Sequence, residues 1–90
     1  MDDNEEILRV SGSTDATALG STVAHGIYEG KKQSLRAIGA AANNQAIKAI
    51  AIASGYAAAR GYDLWVKIGF ADVEMPDGTV TAMILKVKAT

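Results

Sequence analysis

The chain lacks cysteine altogether, and its 90 residues include one proline, one histidine, one tryptophan and one phenylalanine. Without thiols there are no disulfides, thiolate metal sites or cysteine nucleophiles. The lone histidine, His25, sits between Ala24 and Gly26 with no serine or thiol partner to make it a general base. Asp63, Asp72, Glu74 and Asp77 are spread along the last part of the chain. Asp72 and Glu74 share a strand face, but two carboxylates at i, i+2 without further ligands are a weak metal signal. No catalytic residue, metal site or cofactor is expected, and the chain is read as a non-enzyme. An apolar run of about 20 residues is also missing, as is a basic, apolar leader ahead of a small-residue cleavage site. The expected location is the cytoplasm, with no membrane contact. Charge of one sign is lacking too: nine basic and ten acidic residues leave a net charge of −1. That balance disfavours binding driven by overall charge and leaves room for a local basic patch.

What is present is globular: 49% hydrophobic, 21% charged and free of low-complexity runs. Ninety residues allow one core, hiding only about 60–65% of the unfolded surface, so pairing with a second copy is an economical route to more burial. Residues 1–6, "MDDNEE", read as an acidic, solvated tail, and 7–90 as a single domain. "ILRVS" reads as a strand. The stretch from Ser13 to Gly30 reads as a helix capped by Ser13 or Thr14, with Ala16, Leu19, Val23 and Ile27 on one face and Gly30 as its stop. Its internal Gly20 and Gly26 lower helix propensity and call for close packing. A second strand covers Gln33–Gly39, and a second helix runs from there to about Gly55. "YDLWVKIGFADVEM" is a long third strand, the Asp77–Gly78 pair signals a hairpin, and "TVTAMILKVKA" returns as the fourth. The order β-α-β-α-β-β implies an α+β, two-layer sandwich: a four-stranded mixed sheet with both helices on one face.

Period-two alternation divides each strand into two faces. Leu8 and Val10, Leu35 and Ala37, the set Tyr62, Leu64, Val66, Ile68 and Phe70, and the set Thr81, Met83, Leu85 and Val87 are expected beneath the helices. Ile7, Ile38, Val80, Ala82 and Ile84 fall on the open face, with Arg9, Arg36, Lys67, Lys86 and Lys88 around Trp65. Cations interleaved with an aromatic ring suit single-stranded nucleic acid, because ammonium groups meet phosphates and rings stack bases. The plainer reading, solvated strand residues whose stems cover the isoleucines, is preferred on general grounds.

The second helix, "GAAANNQAIKAIAIASG", is the distinctive segment. At 100° per residue Ile47, Ile50, Ala51 and Ser54 cluster on one side, assigned to the sheet. Ala42, Ala46, Ala49 and Ala53, with Ile52 beside them, form an opposite strip, assigned to a dimer interface. Gly39 and the small residues after it, followed by Asn43, Asn44 and Gln45, make a helix start receptive to phosphate, although no nucleotide-loop motif is present. Asn43 as a simple helix cap is the more general explanation.

"ILRVSGST", "LRAIGAAANNQAIKAIAIASGY" and "YDLWVKIGFADVEM" resemble, in order and spacing, the bacterial stage V sporulation protein S family. The block carrying Gly39, Asn44, Gln45, Ala46, Lys48 and Ala49 is the specific part. That family is similar in fold to the Alba chromatin and RNA-binding proteins. The resemblance implies an Alba-like fold, a homodimer or higher homo-oligomer, and a regulator of sporulation or development that binds DNA or RNA. The chain departs from the Alba pattern at the two loops that carry Alba's basic residues. They read "SGSTDA" and "IGAAAN" here, with no positive charge, so binding is expected to be weak. Arg36, Gly39, Asn43, Asn44, Gln45, Lys48 and Lys67 are the candidate nucleic-acid contacts. The alternative is an adaptor that binds a regulatory protein partner and no nucleic acid.

Overall fold

The computed structural model of the chain describes residues 5–90. Six elements follow one another: β1 (Glu5–Val10), α1 (Ala16–Tyr28), β2 (Lys32–Ala37), α2 (Ala40–Ala58), β3 (Leu64–Met75) and β4 (Gly78–Ala89). They build one four-stranded sheet in the order β1-β2-β4-β3. β1 runs parallel to β2, and β4 is antiparallel to both β2 and β3. The α+β class and the β-α-β-α-β-β order expected from the sequence are therefore found. Glu5 and Glu6, expected within the acidic tail over 1–6, belong to β1; the rest of that stretch, 1–4, lies outside the described residues.

Element ends follow local chemistry. Asp15, rather than Ser13 or Thr14, caps α1, its carboxylate accepting from the Thr17 and Ala18 N–H groups at 2.9 and 3.2 Å. A carboxylate carries a full charge to the positive end of the helix, which a hydroxyl does not. Ser11 and Thr14 instead close the preceding loop, Thr14 Oγ1 accepting from the Ser11 N–H at 2.8 Å. Gly30, at φ 73°, lets the chain leave α1 as expected. α2 does not stop at Gly55 but runs to Ala58, and the turn follows at Gly61, φ 84°. A helical glycine costs only about 1 kcal/mol, and the four residues after Gly55 are alanine or tyrosine, which propagate the helix readily.

The core is formed by Val10, Val23, Ala24, Ile27, Leu35, Ala37, Leu85 and Val87 together with one whole face of α2. That face is the alanine face. Ala46, Ala49, Ala53 and Ala57 are fully buried and Ala42 nearly so, while Ile47 is 60% exposed and Ala51 is exposed. Of the residues assigned to the sheet, Ile50 packs against the core as expected and Ser54 is half-buried, but Ile47 and Ala51 face water, and the alanines assigned to an outer contact strip are inside. The reason lies in α1. A Cβ on Gly20 would stand 2.8 Å from Ile52 Cγ2 and 2.9 Å from the Ala49 carbonyl oxygen, so the two helices pack nearly backbone to backbone. Only a residue without a Cβ permits that approach beside the Ile52 side chain and the Ala49 carbonyl. Gly26 serves the same end against β2: its missing Cβ leaves room for the Gln33 side chain, whose Nε2 donates to the Val23 carbonyl oxygen at 3.0 Å.

Close helix packing makes a narrow helical layer, and β3 at the sheet edge is only partly covered. Leu64 and Val66 pack on the core as expected. Ile68 and Phe70, on the same face, are 58% and 77% exposed, and Thr81 is exposed as well. On the opposite face Ala82, expected to be open, is fully buried. It lies opposite Ala71, between Val80 and Ile84 along β4. Leu35 and Ala37 inside, and Ile7, Arg9 and Ile38 outside, are as expected.

Candidate nucleic-acid interface

The sheet face away from the helices is where positive charge collects. Strand alternation and register place Arg9 on β1, Lys32 and Arg36 on β2, Lys67 on β3, and Lys86 and Lys88 on β4 there, six of the nine basic residues. Lys32 extends the set expected from the sequence; the signal was available, since it shares parity with Arg36. The register brings like charges together: Arg9 is opposite Arg36, and Lys67 is opposite Lys86. Directly opposed like charges destabilise a strand pair. Trp65, 50% exposed, is opposite Lys88 and two residues from Lys67. Two carboxylates share this side among the described residues: Glu5, opposite Lys32, accepts from the Ser34 hydroxyl, and Asp63, two residues before Trp65, pairs through its backbone with Thr90. Asp72 and Glu74 point to the other side of the hairpin and accept from Thr81 and Thr79.

The candidate contacts named from the sequence do not form one site. Arg36 and Lys67 lie on the open sheet face, whereas Asn43, Asn44, Gln45 and Lys48 belong to α2, on the opposite side of the sheet, and Gly39 immediately precedes it. Gly39, at φ 88° and ψ 164°, is the N-cap of α2 and supplies no side-chain bond. Asn43 is therefore not the cap. It lies in the first turn and donates through Nδ2 to the Gly39 carbonyl oxygen at 2.8 Å. Gln45 Nε2 donates to the Thr14 carbonyl oxygen at 2.8 Å, tying α2 to the loop before α1. That loop comes so close that a Cβ on Gly12 would meet Ala41 Cβ at 2.9 Å. Asn44 and Lys48 are exposed. The family-like "ANNQ" segment thus includes two amides that hold the two loops in place.

A family model described as stage V sporulation protein S matches residues 6–90. The chain belongs to that family. It is accordingly a sporulation-related protein, and the family match spans all six elements apart from the first residue of β1. Among the described residues no three His, Asp or Glu side chains are grouped to hold a metal ion, and no helix is long and apolar enough to cross a membrane. Three of the large exposed apolar groups, Ile47, Ile68 and Phe70, lie on the helix side of the sheet. Ile68 and Phe70 face that side on β3. Ile47 lies on the flank of α2 away from Ile52, and so away from α1.

Proposed function

We propose that the protein is a dimeric, non-enzymatic regulator of sporulation or development that binds single-stranded nucleic acid weakly across its open sheet face. The observation that carries this reading is the pairing of like charges on a face with an exposed ring: Lys67 with Lys86 beside Trp65, and Arg9 with Arg36 across the sheet towards the other edge. A phosphate backbone offsets that repulsion, and Trp65 offers a face on which a base stacks. The flat platform, rather than the uncharged loops at Gly12 and Gly39, is the binding surface. Arg9, Arg36, Lys67, Lys86 and Trp65 are its contacts. A net charge of −1 supplies no long-range attraction, so affinity is modest and strongly salt-dependent. Fluorescence anisotropy of labelled single-stranded DNA and RNA at low salt tests this. Binding that disappears in Trp65→Ala and Lys67→Ala supports it, and binding unaffected by both variants refutes it.

The dimer belongs to a different surface from the alanine strip. Ile47, Ile68 and Phe70 leave large apolar groups in water on the helix side, as the core of a pairing surface would. A second copy is the occupant we infer, because the margin of the patch has both signs. Asp72 and Glu74 continue the Phe70 face of β3, while Lys48 lies exposed on α2. Under two-fold symmetry the acids of each copy are available to the lysine of the other. Light scattering that reports a monomer at micromolar concentration would refute this surface as a self-contact and favour an adaptor that uses it for another protein.

A further inference from the structure

The end of the molecule where α1 gives way to β2 holds a cavity of about 550 Å³. This is within the roughly 300–1,000 Å³ of small-ligand sites. Four lysines line it: Lys31, Lys32, Lys86 and Lys88. Glu5 is the one carboxylate of the lining, and it accepts from Ser34. Lys31 also pairs with Glu6 at 3.8 Å and Glu29 at 3.7 Å. Both pairs are about half exposed, and such contacts hold a lysine weakly enough for an anion to compete.

The other wall is aromatic. Tyr28 and Tyr62 stand with ring centroids 5.9 Å apart at a tilt of 40°, and the Arg60 guanidinium lies 4.0 Å over the Tyr28 ring. Ile27 and Val87 add apolar lining. The cluster is built by the fold: Lys86 and Lys88 alternate along β4, Lys32 begins the neighbouring strand, and Lys31 ends the turn after α1. Lys31 on the helix side with the rings, and Lys32, Lys86 and Lys88 on the open face at the same end of the sheet, match an anion that carries several charges and a flat ring.

We propose that this cavity binds a small organic polyanion of the nucleoside di- or triphosphate class, its phosphates on the lysines and its ring against Tyr62. The site goes beyond the platform reading; it shares Lys86 with the platform contacts and is tested through residues the two do not share. Lys31 lines the cavity but precedes β2, whereas Trp65 and Lys67 lie on the sheet face outside the cavity.

Isothermal titration of the full chain with ATP and ADP at low salt tests the site. Saturable one-to-one binding near about 0.1 mM is expected, with tripolyphosphate and adenosine each binding more weakly. Lys31→Ala, at an exposed position that spares the fold, should weaken ATP binding about fivefold. Trp65→Ala should leave ATP binding intact, which upholds the cavity even if oligonucleotide binding fails. No heat with either nucleotide, an unchanged affinity in Lys31→Ala, or tripolyphosphate binding as tightly as ATP overturns the proposal.

Discussion

The two faces of β3 differ more than any other pair of surfaces in this molecule. On one side Trp65 and Lys67 join lysines from β4 to make an open, positively charged floor. On the other, Leu64 and Val66 enter the core, Ile68 and Phe70 are left in water, and Asp72 and Glu74 follow. One strand therefore separates a surface suited to polyanions from a surface suited to apolar contact. The cause is packing on the neighbouring helices. Gly20 against Ile52 and the Ala49 backbone draws α1 and α2 together, and the helical layer leaves Ile68 and Phe70 of β3 uncovered. The alanine face of α2 and the Ile68–Phe70 face are both apolar, but only the first is small enough to be buried within the chain.

Four substitutions break or sharpen that contrast. The largest effect is expected from Ala49→Glu, which puts a carboxylate into the helix–helix contact. It should cost more than about 3 kcal/mol and unfold much of the population in a urea titration. An Ala49→Glu protein that stays folded and merely dissociates would restore the alanine strip as an outer interface. Phe70→Glu should do the opposite, leaving a folded chain while weakening self-association by about 30-fold or more, as light scattering reads it. Gly20→Ala follows, with a loss of about 1–3 kcal/mol in thermal unfolding, since the methyl meets the Ala49 carbonyl and Ile52. A neutral result there would mean that the helices are further apart than described. The smallest effect has the opposite sign. Lys67→Ala removes one of two facing ammonium groups and should stabilise the fold by a few tenths of a kcal/mol while weakening nucleic-acid binding. Equal losses of stability and binding would show that Lys67 supports the strand and does not serve a ligand.

The element order was legible because its punctuation is strong: Gly30 ends α1, and "MPDG" turns the hairpin between Met75 and Gly78. The open-face lysines were legible for the same reason, since alternation alone assigns Lys67, Lys86 and Lys88 to one side. Alternation says which residues share a face but not whether anything covers it, which is why Ile68 and Phe70 were expected in the core. The orientation of α2 runs against the sequence pattern because hydrophobicity ranks isoleucine above alanine. Packing on Gly20 turns Ile52 and the Ala49 backbone toward α1 instead, which buries the alanine face and leaves Ile47 in water. The roles of Asn43 and Gln45 were hidden because their partners, the Gly39 and Thr14 carbonyl groups, are backbone atoms that carry no sequence signal.

The most direct test of the two-faced hairpin is the salt dependence of single-stranded oligonucleotide binding, measured for the parent chain and for the Lys67→Ala, Lys86→Ala double variant. The platform predicts that log affinity falls linearly with log salt. The double variant should lower the slope by about 1.4 units, roughly 0.7 for each phosphate no longer neutralised. Parallel lines for the two proteins, or no binding by the parent chain at low salt, would contradict the assignment of this sheet face to nucleic acid.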